Sequence, residues 1–180
     1  APFHTDYPAA DYEVVIEPNM AFGTGNHETT SMMAEYILES EIEGKNVLDM
    51  GCGTGILAIL ACMRGAASVC AVDIDSRSVE NSLDNARRNR CPSIEVLEGG
   101  AEILEGRSFD IIFANIHKNV LLNDMENYQK TLFEGGKLFI SGIYESDLDA
   151  LNEMASSLNI KLEGYKKKNN WVAASYVLLP

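Results

Sequence analysis

The sequence predicts a doubly wound α/β domain, a mostly parallel sheet with helices on both faces, ending in an antiparallel hairpin. Three observations carry that expectation. Short apolar runs around Val47, Val69 and Ile111 lack the polar alternation of strands that face water on one side. Segments with apolar residues at helical spacing separate them, so strand and helix alternate along the chain. The last two candidate strands are parted only by Lys166-Lys167-Lys168-Asn169-Asn170, which leaves no room for a crossover helix.

Taken in order, residues 13–16 read as a short strand ended by Pro18, and residues 21–30 as a Gly/Thr-rich loop. A helix follows, with Met33, Tyr36 and Ile37 on its buried side. Val47-Leu48-Asp49-Met50 is a strand, then a glycine turn, then Ile56, Ile59, Leu60 and Met63 at helical spacing. Residues 69–72 form the next strand. Asp75 is placed to cap a helix whose Val79, Leu83 and Ala86 share a face. Residues 94–97, 109–114 and 137–141 are further strands, with a helix near 121–132 and another carrying Leu151, Met154, Ala155 and Leu158. Residues 160–165 and 171–179 make the hairpin, with the three lysines at its solvated tip and Trp171 packed on the sheet.

Composition narrows the function classes. Fourteen Lys and Arg against 27 Asp and Glu leave a formal charge of -13 over 180 residues, one domain's length. That field repels phosphate backbones and anionic lipid, so neither direct nucleic-acid binding nor a membrane partner is expected. Cys52, Cys62, Cys70 and Cys91 form no C-x-x-C pair, and His4, His27 and His117 lack ligand spacing, so no metal site is expected. Unpaired thiols, no charged-then-apolar leader and no long apolar run together point to the cytoplasm.

The chemistry is concentrated where the first parallel strand meets its helix. Asp49-Met50-Gly51-Cys52-Gly53-Thr54-Gly55 lets backbone approach a ligand that side chains would exclude. The spacing is G-x-G-x-G and not G-x-G-x-x-G, and Asp49 would repel a pyrophosphate, which disfavours a nicotinamide-linked oxidoreductase. An acidic residue there suits a ligand with an ammonium group, such as the amino acid end of S-adenosylmethionine. Asp73, ending the next strand, can accept hydrogen bonds from both hydroxyls of a ribose. Asn115 is expected at the carboxyl end of a central strand, facing the crevice where donor and acceptor meet. A methyl group goes to a lone pair, which a lysine ammonium with a pKa of about 10.4 lacks. Desolvation beside a sulfonium favours the neutral amine, and the Asn115 carbonyl can orient it without a strong general base.

The loop Ala21-Phe22-Gly23-Thr24-Gly25-Asn26-His27-Glu28-Thr29-Thr30 resembles the bacterial ribosomal protein L11 methyltransferase family. So do the glycine turn, Asp73-Ile74-Asp75, Asn85-Ala86 with Asn89, and Ala114-Asn115-Ile116. The resemblance spans nearly the whole chain. It implies a Rossmann-like class I methyltransferase sheet, S-adenosylmethionine as cofactor, and amino groups of a large-subunit ribosomal protein, lysine side chains or an N-terminal amine, as acceptors. It carries Asn115 over as the catalytic residue. It implies that Thr30, Gly51, Asp73 and Asn115 contact the cofactor, with Phe22 and its loop closing over the site, and Asp49, Gly53 and Ile74 complete the expected cofactor-binding set. Thr29 or Thr30 would cap the following helix, and His27 would brace the loop as a donor.

The departures are specific. His117 stands where the family has an apolar residue, which puts an imidazole beside the amine site. Gly100 replaces an Asp that many relatives place near the adenine amine, with Glu102 as a substitute. The family's amino-terminal ferredoxin-like recognition domain has no counterpart before Ala1, so the chain is expected to be the catalytic portion. Within it, residues 1–30 are an amino-terminal arm and cofactor-lid loop and residues 31–180 the methyltransferase domain. Three competing readings remain: the same chemistry on another protein or small amine, a noncatalytic cofactor-binding domain, and the glutamine or adenine amino-methyltransferases. The last place two prolines after the Asn, where this chain has Ile116 and His117.

Overall fold

The computed structural model describes residues 10–17 and 27–180. Its elements in chain order are α1 (Glu28–Glu39), β1 (Asn46–Met50), α2 (Ile56–Met63), β2 (Ser68–Asp73), α3 (Ser76–Arg88) and β3 (Glu95–Glu98). Then come a 3-10 turn (Ala101–Leu104), β4 (Phe109–Asn115), α4 (Lys118–Thr131), β5 (Leu132–Tyr144), a second 3-10 turn (Glu145–Asp147), α5 (Leu148–Ser157), β6 (Ile160–Lys168) and β7 (Trp171–Leu178).

The seven strands form one sheet in the order β3-β2-β1-β4-β5-β7-β6. β3 to β5 run parallel, and β7 enters antiparallel between β5 and β6. The order reverses at β1 and β4, so the crevice opens beyond their carboxyl ends, at Met50 and Asn115. Both faces of the sheet are dry, which is why its strands read as unbroken apolar runs. One face packs Leu48, Val72, Ile112 and Ile140 against Leu121, Met125 and Leu151, and the other packs Val47, Ala71 and Phe113 against Met33, Ile37 and Ile59. No helix among the described residues is long and apolar enough to cross a membrane.

The doubly wound sheet and its terminal hairpin are as expected, but four local readings change. Residues 13–17 are extended without being a strand. Their backbone is satisfied instead by side chains of α3. Asn89 Oδ1 accepts from Val15 N (2.8 Å) and its Nδ2 donates to Val15 O (2.7 Å), while Asn85 Oδ1 accepts from Glu17 N (2.9 Å) and Asn81 Nδ2 donates to Glu17 O (3.2 Å). Consequently the buried face of α3 is polar, comprising Ser78, Asn81, Ser82 and Asn85 beside Ala86, with Val79 and Leu83 only half-buried.

The lysine run is strand, not tip. Lys166, Lys167 and Lys168 all pair with β7, leaving Asn169 and Asn170 to make the turn, Asn169 at φ +55°. Acids from distant elements hold the three ammonium groups: Lys166 pairs with Glu35 (3.1 Å) and Glu39 (2.6 Å), Lys168 with Glu35 (2.6 Å) and Lys167 with Glu145 (2.6 Å). β5 is longer than expected, with register shifts between Phe109 and Ile111 on β4 and between Ile140 and Ile143 on itself. Its last residue, Tyr144, stacks on Trp171 (4.3 Å between centroids), which packs against the core as expected and also lines the crevice. Finally, α1 begins at Glu28, before the boundary expected at residue 30.

Candidate functional site

A cavity of about 470 Å³ occupies the crevice. Met50, Gly51 and Gly53 come to it from the β1 turn, Asp73, Ile74 and Asp75 from the end of β2, and Asn115, Ile116 and His117 from the end of β4. Its volume suits a ligand larger than an amino acid and lies within the usual range of ~300–1,000 Å³ for small-molecule sites.

The glycine turn is built by close approach. Gly51 has φ +73°, and a Cβ on it would run into Cγ2 of Ile116. From the other side, a Cβ on Gly142 (φ +81°) would meet Ile116 O at 2.6 Å. Two glycines therefore clamp the backbone just after Asn115 and fix where its side chain emerges. α3 braces the turn from behind: Ser82 Oγ donates to Gly53 O (2.9 Å) and Asn85 Nδ2 to Thr54 O (3.0 Å). Asp75 Oδ1 caps α3 by accepting from Arg77 N (3.1 Å), as the sequence suggests.

Asp73 lines the cavity with its carboxylate already oriented. Oδ2 accepts from Gly53 N (2.9 Å) and Oδ1 from Asp75 N (3.0 Å). Each oxygen keeps a second lone pair for a ligand hydroxyl. Beside it, Ile74 is 79% exposed, a large apolar side chain on the lip of an otherwise well-packed site.

Asp49 stands behind the wall. It is 2% exposed, does not line the cavity, and Oδ2 accepts from Ala58 N (3.0 Å) in the first turn of α2. Desolvation pushes its carboxyl up to about 7; the Ala58 hydrogen bond pulls the other way, and the charge of Asp73 adds to the rise. Thr30 is likewise buried and off the lining, at the floor beneath Asn115.

Asn115 is the focus. Its Nδ2 points to Thr30 Oγ1 at 3.5 Å, and its Oδ1 is buried with no hydrogen-bond partner. The residue lines the cavity with its amide oxygen one hydrogen bond short.

The remaining expectations divide. His27 caps α1, its Nδ1 accepting from Thr29 N (3.3 Å), so the cap is the histidine and neither threonine; its bracing of the glycine loop falls on residues outside the described ones. His117 lies at the exposed rim as the N-cap of α4, without a side-chain cap bond. Glu102 Oε1 folds back to accept from Gly100 N (2.8 Å) and is off the lining, whereas Gly100 is on it. Phe22 and its glycine loop lie outside the described residues.

Sequence reasoning missed five wall positions: Ser78, Val120, Asp124, Gly142 and Trp171. Trp171 meets His27 edge-on (5.1 Å, 68°) as well as stacking on Tyr144. Nothing local in the sequence joins residues 27, 144 and 171. A break in the apolar pattern of α4 at Asp124 was the only available signal for that residue.

Strand order, glycine turn and strand-end carboxylate together define a class I methyltransferase domain. The profile of the ribosomal protein L11 methyltransferase (PrmA) family matches residues 1–177, and the chain belongs to that family. Ribosomal protein L11 methyltransferase of Phocaeicola vulgatus is 48% identical over 177 residues, 98% of this chain and 63% of that protein. This chain thus spans under two thirds of the length of such relatives. The crystal structure of ribosomal protein L11 methylase from Lactobacillus delbrueckii subsp. bulgaricus superposes with a TM-score of 0.87 at 27% identity, covering 95% of this chain and 92% of that one. A putative SAM-dependent methyltransferase from Streptococcus mutans shares the fold, with a TM-score of 0.70 at 14% identity over 85% of this chain and 50% of that one.

Proposed function

We propose that this domain transfers methyl groups from S-adenosylmethionine to amino groups of ribosomal protein L11, on lysine side chains or the N-terminal amine, in the cytoplasm. The unmet Oδ1 of Asn115 carries the reading: the residue lines the cavity, and a turn of its amide that brings this oxygen to the surface lets a substrate amine supply the missing donor. The family and the glycine cradle support the cofactor.

When bound, S-adenosylmethionine supplies a methyl carbon activated by the sulfonium. Asp73 receives the ribose hydroxyls, Gly51 and Gly53 admit the chain beside them, and Ile74 covers one face of the base. Asp49, a buried carboxyl behind the turn, regains its charge when an ammonium group lies across Gly51. Thr30 engages Nδ2 of Asn115 in the ligand-free domain, and a turn of the amide brings Oδ1 to the cavity when the amine arrives. Oδ1 then accepts a hydrogen from the neutral amine and aims its lone pair along the transfer axis. Trp171 and Val120 form the apolar wall for a lysine stem, and water exclusion there keeps the amine uncharged. Residues 1–30 serve as arm and cofactor lid, with Phe22 over the site, and residues 31–180 hold the chemistry.

Purified L11 incubated with this domain and methyl-labelled S-adenosylmethionine should gain methyl mass on lysine or the N-terminal amine. Asn115→Ala should lower turnover more than cofactor affinity. No incorporation by an intact, cofactor-binding domain would leave a binding module. Label on another protein would replace the acceptor but keep the chemistry.

A further inference from the structure

We propose that Asp124 accepts a hydrogen bond from the exocyclic amine of the cofactor's adenine and so selects a 6-aminopurine; this rests on the cofactor reading above. Asp124 is only 7% exposed and lines the cavity from α4. Among the described residues no Lys or Arg pairs with it. Asn123 Nδ2 donates to Oδ1 (2.7 Å), and Tyr128 Oη reaches Oδ2 only at 3.5 Å. A buried carboxylate has about four acceptor positions and is costly to keep without donors. This one lines a cavity with two of them unmet.

Its place along the cavity identifies the donor. His117, at the start of α4, adjoins Asn115 and marks the end where the methyl moves. Asp124 lies two helical turns further on, about 10 Å at 1.5 Å per residue, past Val120, too far to serve an amine at Asn115. α4 packs against the 3-10 turn that begins after Gly100. Gly100 offers the cavity no side chain, Glu102 is spent on Gly100 N, and Asp75 is spent capping α3. Asp124 is therefore the carboxylate left at that end. On the cofactor, the ribose hydroxyls fall to Asp73 and the amino acid end to the glycine turn. The exocyclic amine is the donor that remains.

The test is calorimetric titration with S-adenosylhomocysteine and with its purine analogue carrying hydrogen in place of that amine. The wild-type domain should prefer the aminated ligand by about 10- to 100-fold, the scale of a hydrogen bond to a charged group. In Asp124→Ala and Asp124→Ser the preference should fall to within about 3-fold. The ratio of the two affinities does not depend on the fraction folded, so lost stability cannot imitate the effect. A preference that survives in both variants, or is missing from the wild type, overturns the assignment and leaves the cofactor reading standing. Failure of the wild type to bind either ligand removes that reading and the inference with it.

Discussion

Asp49→Asn should stabilise the ligand-free domain at high pH and leave it unchanged at low pH. Asp49 is buried, and its carboxyl is raised from 3.8 to about 7, first by desolvation. Between those values the folded state holds a proton that the unfolded chain has released. Stability therefore falls as pH climbs through the window and levels off above 7. The full displacement corresponds to about 4 kcal/mol. Asn has no proton to hold, and its Oδ1 still accepts from Ala58 N, as the protonated carboxyl does. The variant should thus gain about 4 kcal/mol at pH 8, about 1.5–2 kcal/mol at pH 5 and nothing below about pH 3. Urea unfolding of both proteins across that range reads the difference directly. Subtracting one profile from the other cancels the self-repulsion of a chain with formal charge -13. Two profiles running parallel from pH 5 to 8 would show that Asp49 does not titrate there and refute the reasoning.

Three more outcomes follow from the site. Gly51→Ala forces a side chain into φ +73° and into Ile116; it should cost ~1–3 kcal/mol in thermal unfolding and abolish S-adenosylhomocysteine binding, so normal affinity would discount the clamp. Asp73→Ala should weaken binding of the same ligand by about 1.5–3 kcal/mol by titration, and an unchanged constant would take the ribose from Asp73. Asn89→Ala removes both bonds to Val15 and should cost ~1–3 kcal/mol, with hydrogen exchange at Val15 accelerating while β1 stays protected; unchanged exchange at Val15 would mean another group holds it.

Much of the sheet was legible because burial on both faces writes itself as unbroken apolar runs. β1, β2 and β4 fall within a residue or two of the expected bounds, and the glycine turn and Asp73 meet at one cavity. The failures share a cause, which is that a partner lies far away in the chain. Val14 and Ile16 alternate as a strand does, but alternation reports a half-buried extended backbone and not what bonds it. Here asparagine amides of α3 do. Lys166 to Lys168 resemble a solvated turn until Glu35 and Glu39 of α1 are brought alongside. Asp124 looks like one polar residue on a helix until that helix is docked, when it becomes a cavity wall.

One amide links two backbones with no other reason to move together. Asn85 grips Glu17 N through its oxygen and Thr54 O through its nitrogen, and is itself wholly buried. Any ligand that stiffens the turn at Thr54 must also tighten the strap at Glu17. Occupancy of the crevice is then felt at Glu17, which does not line it, and the slowed exchange of that amide becomes a meter for it.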